Sequence, residues 1–338
     1  MGFIWSLEFE VCDFPDMFNL NYLELFILNT IIYFDLFDYP LTLNEIYTHL
    51  FTGGMVGSNY SLTEIASELK TNPKLNKIIA TERGFYFLQN RQKIIQTRLG
   101  RYVLAEKKWK IALWAGRIFK YLPFVKLIAV CNSLAYNNAK ISSDIDFFIV
   151  TAKNRIWQTR LFLIFTIAVL GLRPPKNKQP DKICLSFYLA EDDLDLTKIK
   201  IASEDIYLVF WLATLLPIYM RDEMYDQLIA ANPWLNKYLP NWQPVKPSLR
   251  RRIEDNKFSK FVYQAREFIL QSWLGDWLEN LARQLQIKHM SQKKKDLAVL
   301  GDKRVIISDT ILKFHENDRR AEYQEKFEKK REELLKNI

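Results

Sequence analysis

The chain has 338 residues, 49% of them hydrophobic and 14% aromatic, which suits two or three domains with packed cores and excludes a disordered chain. Its three cysteines lie far apart with no C-x-x-C pair, and its three histidines leave no zinc-ligand spacing. A net charge of +9 favours acidic partners such as nucleotides, nucleic acid or a membrane surface, without choosing among them.

Residues 1–21 are aromatic and irregular and read as a strap over the first domain. They lack a basic start followed by a long apolar run, so they make a poor signal peptide. Met1-Gly2 with Ser6 fits the myristoylation pattern only superficially. The longest apolar runs, 161–172 and 209–220, are shorter than the roughly 20 residues a bilayer span needs. No membrane span is expected, and a reduced, cytoplasmic setting fits.

Apolar residues recur at helical spacing over 23–37, and Pro40 ends that helix. Thr42 with Glu45 and Ser61 with Glu64 are two capping boxes, each starting a helix. Between them, 53–59 is a Gly-rich linker. The runs 78–80 and 85–88 flank Thr81-Glu82-Arg83-Gly84, a hairpin signal. Three helices and a hairpin in that order resemble a winged helix-turn-helix domain over 22–90. That resemblance implies DNA binding through the third helix. The helix offers Lys70 against Glu64 and Glu68, which argues against sequence-specific DNA binding and for a protein-contact role. Residues 91–121 are a long basic connecting helix, read as a mostly solvated face, with a nucleic-acid ridge leading to the site as the sharper alternative.

Residues 125–130 form an apolar β run, Asn132-Ser133 turns into a short helix, and Asp144-Ile145-Asp146 opens a second apolar run at 147–150. Side chains alternate along a strand, so Asp144 and Asp146 share one face while Ile145 and Phe147 enter the core. Two adjacent carboxylates suit Mg²⁺, and backbone N–H groups at a helix start hold phosphate oxygens. An ordinary strand pair with two exposed Asp is the plainer alternative.

This stretch resembles the nucleotidyltransferase superfamily that includes DNA polymerase β and the minimal nucleotidyltransferases. The family pattern is a hydrophobic residue, Gly, then Gly or Ser, a spacer, and Asp-hydrophobic-Asp/Glu-hydrophobic. Cys131-Asn132-Ser133 and Asp144-Ile145-Asp146-Phe147 take those places. Asn132 stands where the family has Gly. Asn tolerates positive φ, so the turn survives, but its side chain is expected to crowd a triphosphate. The resemblance implies an α+β fold with a small mixed sheet as the nucleotidyltransferase core over 122–200. It also implies Mg²⁺ (or Mn²⁺) on the catalytic Asp144 and Asp146, and an NTP held at Asn132 and Ser133. Arg155, Arg160 or Lys182 would neutralise the departing charge. The acceptor hydroxyl belongs to a small molecule, a protein or an RNA end.

A helix over 155–170 and a basic loop lead to a third strand at 183–188. The family places a third carboxylate on such a strand; Ser186 occupies the expected position, and neither Asp181 nor Glu191-Asp192-Asp193 is a convincing match. From 201 to 338 the chain reads as helical, with a buried helix over 206–219, a linker over 244–252 and a long helix over 258–285. Lys293 to Lys295 read as a solvated turn. Lys313, His315, Glu316, Asn317, Asp318, Arg319 and Arg320 then crowd into a short segment. It is either a charged surface loop or a segment that folds back to bring His315, Arg319 and Arg320 to the nucleotide. The whole order resembles a bacterial group of nucleotidyltransferase-domain proteins and implies no particular substrate. Asn132 and Ser186 keep a second possibility open: a weak or inactive fold that senses nucleotide or binds a partner.

Overall fold

A computed structural model describes residues 20–55, 59–173 and 180–336. The predicted strap falls almost wholly outside these residues, as do parts of the predicted loops at 53–59 and 176–182.

The N-terminal chain gives α1 (Tyr22–Asp35), β1 (Leu41–Thr42), α2 (Leu43–Thr48), α3 (Leu62–Thr71), α4 (Pro73–Ile78), β2 (Ile79–Glu82) and β3 (Phe85–Leu88). Both capping boxes form, with Glu45 accepting from Thr42 N at 2.8 Å and Glu64 from Ser61 N at 2.7 Å. Arg83 and Gly84, both at positive φ, make the turn between β2 and β3. β3 also pairs with β1, closing a three-stranded sheet.

Helix α5 (Lys93–Phe119) carries the chain to a second sheet. After β4 (Val125–Val130) come α6 (Asn132–Ala135), β5 (Ile145–Thr151), α7 (Ile156–Val169) and β6 (Ile183–Ala190). Then follow α8 (Ile206–Ala213), β7 (Leu216–Met220), α9 (Met224–Ala230), α10 (Trp234–Tyr238), α11 (Lys257–Leu270) and α12 (Trp273–His289). The chain ends with α13 (Gln292–Val299), β8 (Val305–Ile307), β9 (Ile311–Phe314) and α14 (Arg320–Leu335). The six strands lie in the order β7-β4-β5-β6-β9-β8. Only β5 and β6 are parallel, so the sheet is mixed and the fold is α+β.

The region from 201 onward is not simply helical, because β7, β8 and β9 join this sheet. The predicted helix over 206–219 stops at Ala213, and its second half is strand β7. Pro217 gives the physical reason. It cannot donate to a helix ladder, it disfavours the helical region for the residue before it, and a sheet tolerates it at an edge, where β7 sits. The predicted helix over 258–285 is two helices, α11 and α12, and the predicted turn at 293–295 lies inside α13.

Both faces of the sheet are covered. On one, Leu127, Ala129, Phe148, Val150, Phe187 and Leu189 share a core with α8 and the N-terminal unit. Tyr33 of α1 stacks on Phe210 of α8 at 4.0 Å between ring centroids. On the other face, Ile128, Phe147 and Tyr188 pack with Trp109 of α5, Trp157 of α7 and Ala282 of α12. Each such large apolar side chain contributes about 1.5–3 kcal/mol on burial, so the shared core fixes the N-terminal unit against the sheet. No helix among the described residues is long and apolar enough to cross a membrane.

Candidate active site

The turn between β4 and α6 is fastened to the strand that carries the acids. Cys131 N donates to the Asp146 carbonyl at 3.1 Å, and the Cys131 thiol points at the same oxygen at 3.6 Å. Asn132 then adopts φ +57°, the left-handed conformation that Asn tolerates. Its side chain is turned onto the site rather than into open space. It faces the Asp146 carboxyl and opposes the rise of that group's pKa, and its Oδ1 accepts from the Tyr207 hydroxyl at 3.3 Å. Helix α6 has four residues, too few for a strong dipole, so any anion binding here rests on individual groups.

Asp146 lies on the face of β5 that also carries Phe148 and Val150, and Asp144 stands two residues before it. Burial raises the Asp146 pKa above the usual carboxylate range. Hydrogen bonds from Asn132 and Cys184 oppose that shift, and the charge of Asp144 adds to it. Two oxygen donors whose charges repel are a fit for a hard divalent cation. Among the described residues no group of three or more His, Cys, Asp or Glu side chains converges to hold a metal.

The register explains the missing acid. Asp146 of β5 lies opposite Cys184 of β6, not Ser186. β6 then inserts one extra residue before Phe187 comes opposite Phe148, a bulge that sequence periodicity does not reveal. Burial and the neighbouring Asp146 push the Cys184 thiol up to about 12, so it remains an S–H beside Asp146. Ser186 lies further along and shares a hydrogen bond with His315 Nε2 at 2.9 Å.

Two cavities meet at Asn132. One, of about 330 Å³, lies between the N-terminal unit and the turn, lined by Asn132, Ser133, Lys140, Arg101, Tyr207 and Tyr323 among others. Tyr207 and Tyr323 stack there at 5.5 Å with 12° between their planes. Arg101 is committed to Asp38 and to the Phe37 carbonyl. Lys140 is exposed and makes no ion pair among the described residues. The second, of about 230 Å³, is lined by Asn132, Tyr207 and Tyr323 together with His315, Arg319 and Arg320.

The expected cations part company. Arg155 follows the far end of β5, a strand of seven residues and so about 20 Å long, and pairs with Asp276 at 2.8 Å. Arg160 lies against the opposite face of the sheet, over Phe314 at 4.5 Å and Tyr188 at 5.9 Å. Lys182 donates to the Gly171 carbonyl at 2.8 Å, at the end of α7. None of the three lines either cavity at Asn132. His315, Arg319 and Arg320 do reach the second cavity, although Arg320 is paired with Asp205 at 2.8 Å and Arg319 with Glu322 at 2.6 Å. Sequence reasoning missed Lys140, Tyr207 and Cys184. Lys140 carried a local signal, a cation in the loop just before Asp144; the other two are brought in by tertiary packing.

No protein-family model, curated protein or solved structure matches the chain.

Proposed function

We propose that the protein is an Mg²⁺- or Mn²⁺-dependent nucleotidyltransferase that moves an NMP from an NTP to a hydroxyl acceptor and releases pyrophosphate. One observation carries this reading: Cys131 N ties the turn to the Asp146 carbonyl at 3.1 Å, and Asn132, the next residue, lines the same cavity as Ser133 and Lys140. The groups proposed to hold phosphate and metal thereby sit on one turn and the strand after it. Asp144 and Asp146 would hold the cation, which when bound polarises the α-phosphate and stabilises the leaving pyrophosphate. Ser133 would donate its hydroxyl to a phosphate oxygen, and Lys140 would offset part of the triphosphate charge. Tyr207 and Tyr323 offer a flat aromatic wall to the base. Asn132 would hold the Asp146 carboxyl in one orientation.

The N-terminal order of a helix, a short strand, three more helices and a hairpin supports the winged-helix reading. Its role in this proposal is contact within the molecule. Arg98 of α5 binds Glu45 of α2 at 2.7 Å, and Tyr33 stacks on Phe210.

A second reading is favoured by Cys184 beside Asp146, where a third acid would complete a catalytic set. It is a nucleotide-sensing or partner-binding protein without turnover. Incubation with each α-labelled NTP, Mg²⁺ or Mn²⁺ and cell extract separates the two. Metal-dependent transfer of label supports the first. Metal-dependent binding without transfer supports the second, and the absence of both binding and transfer contradicts both readings.

A further inference from the structure

Helix α11 is amphipathic and packs with its polar side inward. Glu267 accepts from Arg221 Nη1 at 2.6 Å and from Phe124 N at 2.7 Å. The buried Ser259 donates to Asp255 at 2.8 Å, and the Arg221 guanidinium lies 3.5 Å from the centre of the Tyr263 ring. The opposite side carries Phe258, Phe261, Ala265, Phe268 and Ile269, whose steps of three and four residues place them on one stripe. All five are exposed, Phe268 by 81%. The stripe runs about 15 Å along the helix. Past the corner, Trp273 and Trp277 open α12, one turn apart and 77% and 55% exposed. Folding normally gathers such side chains inside, and a row of them left outside marks a contact surface.

Charge decides the partner. The two helices hold three acids, and each is engaged: Glu267 by Arg221, Asp276 by Arg155 at 2.8 Å, and Glu279 by the backbone N–H groups of Trp157 and Gln158 at 2.8 Å. Lys257, Lys260 and Lys288 are exposed and make no ion pair among the described residues. By helical spacing, Lys257 and Lys260 fall on one edge of the α11 stripe and Arg266 on the other. A two-fold contact with a second copy would set this cationic rim against itself. An anionic lipid surface meets both parts. Phe and Trp rings settle at the headgroup level, and lysine stems lie along apolar surface while their ammonium groups reach lipid phosphate. We propose that α11 and the start of α12 dock the protein on an anionic lipid bilayer, lying in its interface rather than crossing it. This docking does not depend on the transfer reading.

The test is co-sedimentation of the full chain with vesicles of equal parts phosphatidylglycerol and phosphatidylcholine, and with vesicles of phosphatidylcholine alone. Binding to the anionic vesicles is expected, about tenfold or more tighter than to the neutral ones, since each lysine near such a surface adds attraction. Phe258→Ser/Phe261→Ser/Phe268→Ser keeps the charge and should weaken that binding about hundredfold. Its melting temperature should not fall, because the three rings are exposed. Lys257→Gln/Lys260→Gln keeps the stripe and should weaken the binding about tenfold. No binding to anionic vesicles overturns the proposal, and so does equal binding to both kinds of vesicle. Wild-type affinity in the phenylalanine variant would trace the binding to net charge elsewhere on the molecule. A dimer in sedimentation velocity that this variant splits, with no vesicle binding by the wild type, would give the face to a second copy. Either result also overturns it.

Discussion

Asn132 keeps a left-handed backbone and turns its amide towards Asp146 and Tyr207, so its two properties can be separated by substitution. Asn132→Gly retains the easy positive φ and loses the amide. We expect metal-dependent NTP affinity to fall by about 1.5–3 kcal/mol, the worth of a hydrogen bond to a charged group, with little change in melting temperature. A rise in affinity on calorimetric titration would instead mean that the side chain crowds the phosphates. His315 gives a pH test. Burial, with Lys313 and Arg320 nearby and only Asp318 opposing, lowers its pKa from 6.5 to about 4. Between these values the unfolded chain binds a proton that the folded chain refuses, so stability falls as pH drops. The loss reaches up to about 3 kcal/mol by pH 4. His315→Gln should flatten that part of the stability profile in denaturant titrations at stepped pH; an unchanged slope would contradict the burial. At this scale the Asp pair and the special backbone of Asn132 were legible, because both are local chemistry. The partner of Arg320 was not: Asp205 lies 115 residues away in sequence.

Among elements, those announced by their own caps and turns form where the sequence puts them. Thr42 and Ser61 start α2 and α3, and Arg83-Gly84 turns the hairpin. Elements decided by neighbours do not. The bulge in β6 exists only relative to β5, and Pro217 ends a helix-like apolar run because an edge of the sheet is there to receive it. The break between α11 and α12 was visible in principle at Gly275. A Cβ there would fall onto the carbonyl of Leu270, a backbone atom with no freedom to retreat. Gly275→Ala should therefore disrupt the corner and cost at least about 3 kcal/mol, well beyond the roughly 1 kcal/mol that Ala normally gains over Gly in a helix. Chemical denaturation of the variant checks this, and equal or greater stability would show that the corner opens freely.

The whole molecule joins an N-terminal unit to a mixed sheet through one shared core, and the two cavities lie where the turn after β4 meets that junction. Local pattern marked the N-terminal helices and hairpin and the strand that follows Asp144; it had no means of showing that the N-terminal unit, α8 and α14 would share a core with one face of the sheet, because those contacts are long-range. The claim on which the functional reading rests is that Asp144 and Asp146 hold a divalent cation with a nucleotide. The direct measurement is calorimetric titration of ATP, GTP, CTP and UTP, with and without Mg²⁺, into the wild type and the Asp144→Asn/Asp146→Asn variant. The substitution removes a like-charge pair, so the melting temperature should not fall. At least one NTP should bind the wild type about tenfold or more tightly with Mg²⁺ than without, and the variant should lose that gain. Equal Mg²⁺-dependent affinity in the two proteins would contradict the site.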